Sequence, residues 1–142
     1  MAFDGITIAA MVKELHMNLD GGRFNKIAQP EADELLITGK GANGQCRLLL
    51  SASASLPLIY FTSKNKPSPM TAPNFCMLLR KHIGSARISD INQPGLERVV
   101  MFELEHLNEL GDPCKKVLIM ELMGKHSNII FCDDQNMILD SI

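Results

Sequence analysis

The sequence predicts an α+β domain built on an antiparallel, sandwich-like sheet of about eight or nine short strands with two helices. Three observations lead there. Most of the chain consists of short apolar or alternating runs bounded by turn residues such as Gly21-Gly22, Asn43-Gly44 and Pro94-Gly95. Two stretches only carry apolar residues at helical spacing. Of the 142 residues, 46% are hydrophobic, enough for one packed core at ordinary single-domain length.

Taken in order, Ile8, Met11, Val12, Leu15 and Leu19 recur at helical spacing, with Lys13, Glu14, Asn18 and Asp20 mostly opposite, so a first helix packs on the sheet. Asp4 or Thr7 is placed to cap it and Gly21-Gly22 to stop it. Strands follow over residues 23–29, ended by Pro30, then 34–40 and 46–51. The segment Gly39-Lys40-Gly41-Ala42-Asn43-Gly44 matches G-x-G-x-x-G in letters. A dinucleotide site needs that motif to open a helix, whereas here Arg47-Leu48-Leu49-Leu50 continues as strand, so a hairpin turned at Asn43-Gly44 is expected. Residues 56–62 form another strand, and residues 63–73, with three prolines, Lys64 and Lys66, a mobile surface loop. The second helix covers residues 74–83, with Phe75, Leu78, Leu79 and Ile83 toward the core and Gly84 closing it. Strands over 86–93, 98–106 and 117–123 come next, with a turn at 108–113, then a hairpin of 128–132 and 137–142. In the 98–106 strand Val100, Phe102 and Leu104 face one way and Val99, Met101, Glu103 and Glu105 the other. The 117–123 run is nearly continuous apolar, as in a strand covered on both faces.

Charge and cysteine usage narrow the function classes. Lys plus Arg number 14 and Asp plus Glu 16, a net charge of -2, which lacks the basic excess of a dedicated nucleic-acid domain and leaves only a local basic patch for that role. The first residues show no secretory pattern, and no apolar run approaches the ~18 residues that span a bilayer, so a cytoplasmic protein without membrane partners is expected. Cys46, Cys76, Cys114 and Cys132 are too scattered for metal-ligand spacing and are read as reduced, mostly buried thiols. No cofactor, metal or small-molecule substrate is expected. The chain stops inside an apolar run at Ile142, as a piece cut from a longer protein would.

Two polar groups stand at predicted strand ends beside Gly and Pro, where a rigid scaffold usually carries function. Glu97 and Arg98 follow Pro94-Gly95, and Lys125-His126-Ser127-Asn128 follows the 117–123 strand. Glu97 and Arg98 read either as two solvated residues after a turn or as an interface residue with its support. Lys125 to Asn128 read either as a polar hairpin turn or as donors for phosphate and ribose oxygens. Arg80, Lys81 and His82 suit the dipole of a helix end, or an RNA phosphate. No nucleophile–base set can be inferred from spacing.

Five blocks, in order across nearly the whole chain, resemble the N-terminal domain of the NFACT family. They are Met1-Ala2-Phe3-Asp4-Gly5, residues 21–30 from Gly21-Gly22-Arg23-Phe24 to Pro30, residues 75–83 with Leu79-Arg80-Lys81-His82, Gly95-Leu96-Glu97-Arg98, and Met123-Gly124-Lys125-His126-Ser127-Asn128. The resemblance implies a cytosolic ribosome quality-control factor, longer than this chain, with helix-hairpin-helix, coiled-coil and RNA-binding parts after the domain. It implies binding to large ribosomal subunits obstructed by stalled peptidyl-tRNA, and recruitment of alanyl-tRNA for C-terminal alanine tailing. The ribosome's own peptidyl-transferase centre makes the bond, so the factor is not an enzyme. On this resemblance Glu97, Arg98, Lys125 and His126 are the tRNA-binding candidates, with Arg80, Lys81 and Arg23 as further contacts to RNA backbone. The family's Asp-Arg pair is Glu97-Arg98 here, and an arginine of its Met-Gly-Arg-His block is Lys125, which keeps charge without bidentate geometry. The domain also resembles the N-terminal domain of formamidopyrimidine-type DNA glycosylases, whose proline nucleophile and adjacent glutamate are replaced by Ala2 and Phe3, so their chemistry is not expected. An older family name, fibronectin-binding protein A, supplies the alternative: a surface adhesin for fibronectin or fibrinogen.

Overall fold

The computed structural model describes residues 5–41, 44–54, 57–63, 66–67 and 69–142. Two helices and nine strands follow one another as α1 (Gly5–Leu19), β1 (Arg23–Ala28), β2 (Glu34–Gly41), β3 (Gly44–Ser51), β4 (Leu58–Thr62), α2 (Asn74–Ile83), β5 (Arg87–Asn92), β6 (Val99–Leu107), β7 (Pro113–Glu121), β8 (Asn128–Asp133) and β9 (Ile138–Ser141). The α+β class is as expected, and the sheet is continuous, in the order β4-β3-β2-β1-β5-β6-β7-β8-β9 with antiparallel pairing throughout. It consists of two meanders that meet at β1 and β5. Their seam is short: one register pair, Arg23 with Arg87, flanked by Phe24 N donating to Ala86 O at 3.0 Å and Ile88 N donating to Gly22 O at 2.7 Å.

Alternation puts one face of every long strand into a single core. Leu35 and Ile37 of β2, Leu48 and Leu50 of β3, Val100, Phe102 and Leu104 of β6, Leu118 and Met120 of β7, and Ile129 and Phe131 of β8 are buried in one apolar cluster. Both helices cover it, α1 through Ile8, Val12, Leu15 and Leu19, α2 through Phe75, Cys76, Leu79 and Ile83. Phe24 and Phe102 meet across the seam with ring centroids 6.2 Å apart. In α2, Cys76 rather than Leu78 completes the buried face, and Leu78 packs partly buried at its margin.

The hairpin reading of the glycine-rich motif holds: β2 pairs with β3 through to Gly41 and Gly44, and no helix follows. Its turn residues Ala42 and Asn43 lie outside the described residues, as do Met1, Ala2, Phe3 and Asp4, Leu56 and Lys64. Thr7 sits in the first turn inside α1, and Asp4, the other capping candidate, lies outside the described residues. α2 runs from Asn74 to Ile83 and Gly84 closes it, as expected, with a right-handed φ of -63. Several strand ends differ from expectation, β7 by the most. β7 begins at Pro113 instead of 117, because Cys114, Lys115 and Lys116 pair with His106, Glu105 and Leu104 although they lack an apolar signature. The turn before it shrinks to Asn108–Asp112, where Asn108 Oδ1 accepts from Leu110 N and Asp112 N, both at 2.9 Å.

Candidate nucleic-acid interface

One end of the β6-β7-β8 meander gathers the two polar blocks that lie far apart in sequence. Register places Val99 beside Glu121 and Glu121 beside Asn128, so the residues before β6, after β7 and before β8 share one rim. Glu97 and Arg98 occupy the bend just before Val99, and not the strand itself, so strand alternation does not dictate where each points. Their backbone is fixed from several directions. Glu97 N donates to Pro94 O at 3.1 Å, Gln93 Nε2 donates to Glu97 O at 2.6 Å and to Gly5 O at 2.9 Å, and Leu122 N donates to Arg98 O at 2.9 Å. Gly95 turns the bend with φ 56, a conformation that a side chain would strain.

Across the rim, Gly124–His126 forms a single 3-10 turn. His126 N donates to Met123 O at 3.1 Å, and Ser127 Oγ accepts from Met123 N at 2.9 Å. Asn128 Oδ1 accepts from Ile129 N at 2.9 Å. Ser127 and Asn128 therefore hold the loop, and Lys125 and His126 are the members left exposed. Glu97 and Arg98 are exposed as well, and none of these four side chains has a hydrogen-bond or ion-pair partner among the described residues. A rigid backbone thus presents two cations, an imidazole and one carboxylate to solvent, suited to phosphate oxygens and the polar edges of unstacked bases.

Arg23, Arg80 and Lys81 are not part of that rim. They lie at the far end of β6, where Arg23 pairs with Arg87 and Arg87 with Glu105. Glu105 is six positions along β6 from Val99, a separation of roughly 20 Å. With Lys26, Arg87, His82, Glu105 and His106 these residues line a cleft of about 890 Å³. Arg80 Nε donates to Ile27 O at 2.7 Å, sharing that carbonyl with the Cys76 thiol at 3.5 Å, so Arg80 docks α2 on β1 as well as facing the cleft. Arg23 Nη1 donates to Ser85 O at 3.2 Å, and Arg87 Nη2 donates to Glu105 Oε2 at 2.7 Å, which holds the Glu105 carboxyl below its usual range. Sequence reasoning missed Lys26, Arg87, Glu105 and His106 here, since only cross-strand register brings them to the helix end.

His82 and His106 stand edge to face with centroids 6.2 Å apart. Burial lowers the His82 pKa, helped by the neighbouring charges of Lys116 and Lys81. Burial also lowers that of His106, with Lys116 adding to the effect and the Leu107 carbonyl opposing it. A neutral imidazole fits the bonding: His106 Nδ1 donates to Leu107 O at 3.2 Å and Nε2 accepts from Lys116 Nζ at 3.4 Å. All four cysteines are free; Cys76 and Cys132 are buried, Cys46 and Cys114 half-buried. Among the described residues no three His, Cys, Asp or Glu are placed to hold a metal ion, and no helix is long and apolar enough to cross a membrane.

Fold and rim together define a sheet-scaffolded domain that presents exposed polar side chains on loops. The chain belongs to the NFACT family: a family model described as NFACT N-terminal and middle domains matches residues 4–142. It is 41% identical to the Rqc2 homolog RqcH of Bacillus subtilis over its whole length, and spans 25% of that relative. It is 29% identical to human ribosome quality control complex subunit NEMF, with 97% of this chain and 12% of that one covered. Its fold superposes with TM-score 0.95 on the N-terminal domain of fibronectin-binding protein PavA from Streptococcus pneumoniae, at 37% identity, covering 99% of this chain and 53% of that one. The chain thus spans about a quarter of its bacterial relative and about half of that solved domain.

Proposed function

We propose that this domain is the tRNA-contacting part of a cytoplasmic ribosome quality-control factor. In this reading the full-length protein binds large ribosomal subunits obstructed by stalled peptidyl-tRNA and recruits alanyl-tRNA, and the ribosome's peptidyl-transferase centre adds a C-terminal alanine tail. The factor positions RNA and supplies no catalytic group or cofactor. The observation that carries the reading is the convergence of Glu97-Arg98 and Lys125-His126 on one rim, with side chains exposed and unpaired among the described residues. Arg98 offers a planar donor fork to phosphate or a base edge, Lys125 a point charge, His126 a ring donor, and Glu97 an acceptor for an exocyclic amine. The names of the relatives, Rqc2 homologs and a ribosome quality control complex subunit, support it. The sheet is read as the one shared with formamidopyrimidine-type glycosylases, without their chemistry, since Ala2 and Phe3 replace the reactive pair.

The test follows alanine addition to the nascent chain when full-length protein is mixed with obstructed large subunits and charged tRNA. Arg98→Ala is expected to abolish tailing. Tailing at the wild-type rate in that variant would remove the rim from the reaction. A second reading, an adhesin for fibronectin, is favoured by the name of the PavA structure. It requires the protein on the surface of intact cells and direct fibronectin binding; recovery in the ribosomal fraction alone counts against it.

A further inference from the structure

We propose that the cleft between α2 and the adjoining ends of β1, β5 and β6 is a second RNA-backbone site, about 20 Å from the Arg98–Lys125 rim, holding successive phosphates of the same RNA. It rests on the reading that the chain handles RNA, and extends it to residues which that reading does not need: Lys26 and Arg87, with Arg23, Arg80 and Lys81.

Four observations carry it. The first is charge: five cations line one cleft in a chain of net charge -2, and Glu105 is the one acid among the described lining residues. The second is register. Arg23 stands directly opposite Arg87, and like charges so placed on neighbouring strands repel, while Glu105 neutralises only the Arg87 side. A bound anion relieves that repulsion. The third is preorganisation. Arg23, Arg80 and Arg87 each spend one N–H on a fixed acceptor, Ser85 O, Ile27 O and the Glu105 carboxylate, which leaves the rest of each five-donor fork oriented. The fourth is availability: Lys26 and Lys81 are exposed and have no side-chain partner among the described residues.

Phosphodiester oxygens suit this set because planar guanidinium forks grip them bidentately while lysines add charge without directional demand. The rings of His82 and His106 line the same cleft and offer planar surfaces to a ribose or base. Such contacts read no sequence, so the site contributes affinity and orientation and leaves selectivity to the rim.

The experiment titrates full-length protein carrying Lys26→Ala and Lys81→Ala with tRNA and with an unrelated RNA hairpin across a salt series. The expected result is a loss of affinity of about tenfold for both RNAs, and a slope of log K against log salt reduced by roughly one per lysine, with unchanged thermal unfolding. Wild-type affinity and slope overturn the proposal. So does an equal loss of binding to a phosphoserine peptide or to phosphatidylserine vesicles, which would mark a general anion site. Should the double variant unfold, Lys81→Ala alone, on the exposed side of α2, gives the same reading with half the slope change. Arg98→Ala separates the two proposals. A salt-slope loss confined to the cleft variants sustains this site even if the rim fails in tailing. Loss of tailing in Arg98→Ala with RNA binding intact in the cleft variants sustains the rim and ends this one.

Discussion

His82 shows how much a single side chain owes to neighbours that are distant in sequence. It lies in the last turn of α2, where a protonated imidazole would complement the helix dipole, yet its ring rests 6.0 Å from that of Phe131 and close to Lys81, Lys116 and His106. Burial and those cations win, and the folded pKa falls below its unfolded value, as it does for His106. The unfolded chain then binds more protons than the folded one as pH drops. Stability is full above an unfolded pKa of about 6.5 and is lost as pH falls toward the lower folded values. The melting temperature is therefore expected to fall between about pH 7.5 and 5.5, and His82→Phe, which keeps a ring against Phe131, should flatten that slope. Thermal unfolding at a series of pH values checks it; a wild-type curve that is flat there would contradict the burial argument. The residue types at Glu97, Arg98, Lys125 and His126 and their turn setting were legible in sequence. The pairing of His82 with His106 was not, because it depends on which helix end meets which strand end.

At the scale of elements, the corner between α1 and β1 is set by glycines where two backbones touch. Gly21 turns the chain with φ 73, and Gly22 N donates to Leu19 O at 2.8 Å. A Cβ added at Gly41 would overlap the Asn18 carbonyl at the C-terminal end of α1, and backbone cannot yield as a flexible side chain does. Gly41→Ala is therefore expected to cost about 1–3 kcal/mol, read from the midpoint of urea unfolding. A variant as stable as wild type would mean that the helix end moves freely over β2. Helical and alternating periodicity located both helices and the interiors of the strands. Strand ends were less legible: Pro113 to Lys116 carry no apolar pattern and are strand because β6 supplies the pairing partners.

The whole molecule is two meanders joined at a short seam and made one body by helices that bridge it. α1 packs on β2, β5 and β6, and α2 on β1 and β6, so a single core lies under both halves. That arrangement exposes polar rims at both ends of β6 on a chain whose net charge is -2. Local patches without a global positive field give weak, salt-sensitive attraction. The 142-residue chain alone is expected to bind tRNA weakly, and to lose most of that affinity between about 50 and 200 mM salt; tight binding that survives the higher salt, in a filter or anisotropy assay, would contradict this. The sequence by itself determined the class of fold, the buried faces of α1 and β6 and the polar residues at strand ends, because periodicity and turn chemistry are local properties. Only the tertiary structure decided that Glu97-Arg98 and Lys125-His126 share one rim, and that Arg23, Lys26, Arg80, Lys81 and Arg87 share another. Pairing register and helix docking are choices among distant partners, made by burying one common core, and they leave no mark on any single stretch of sequence.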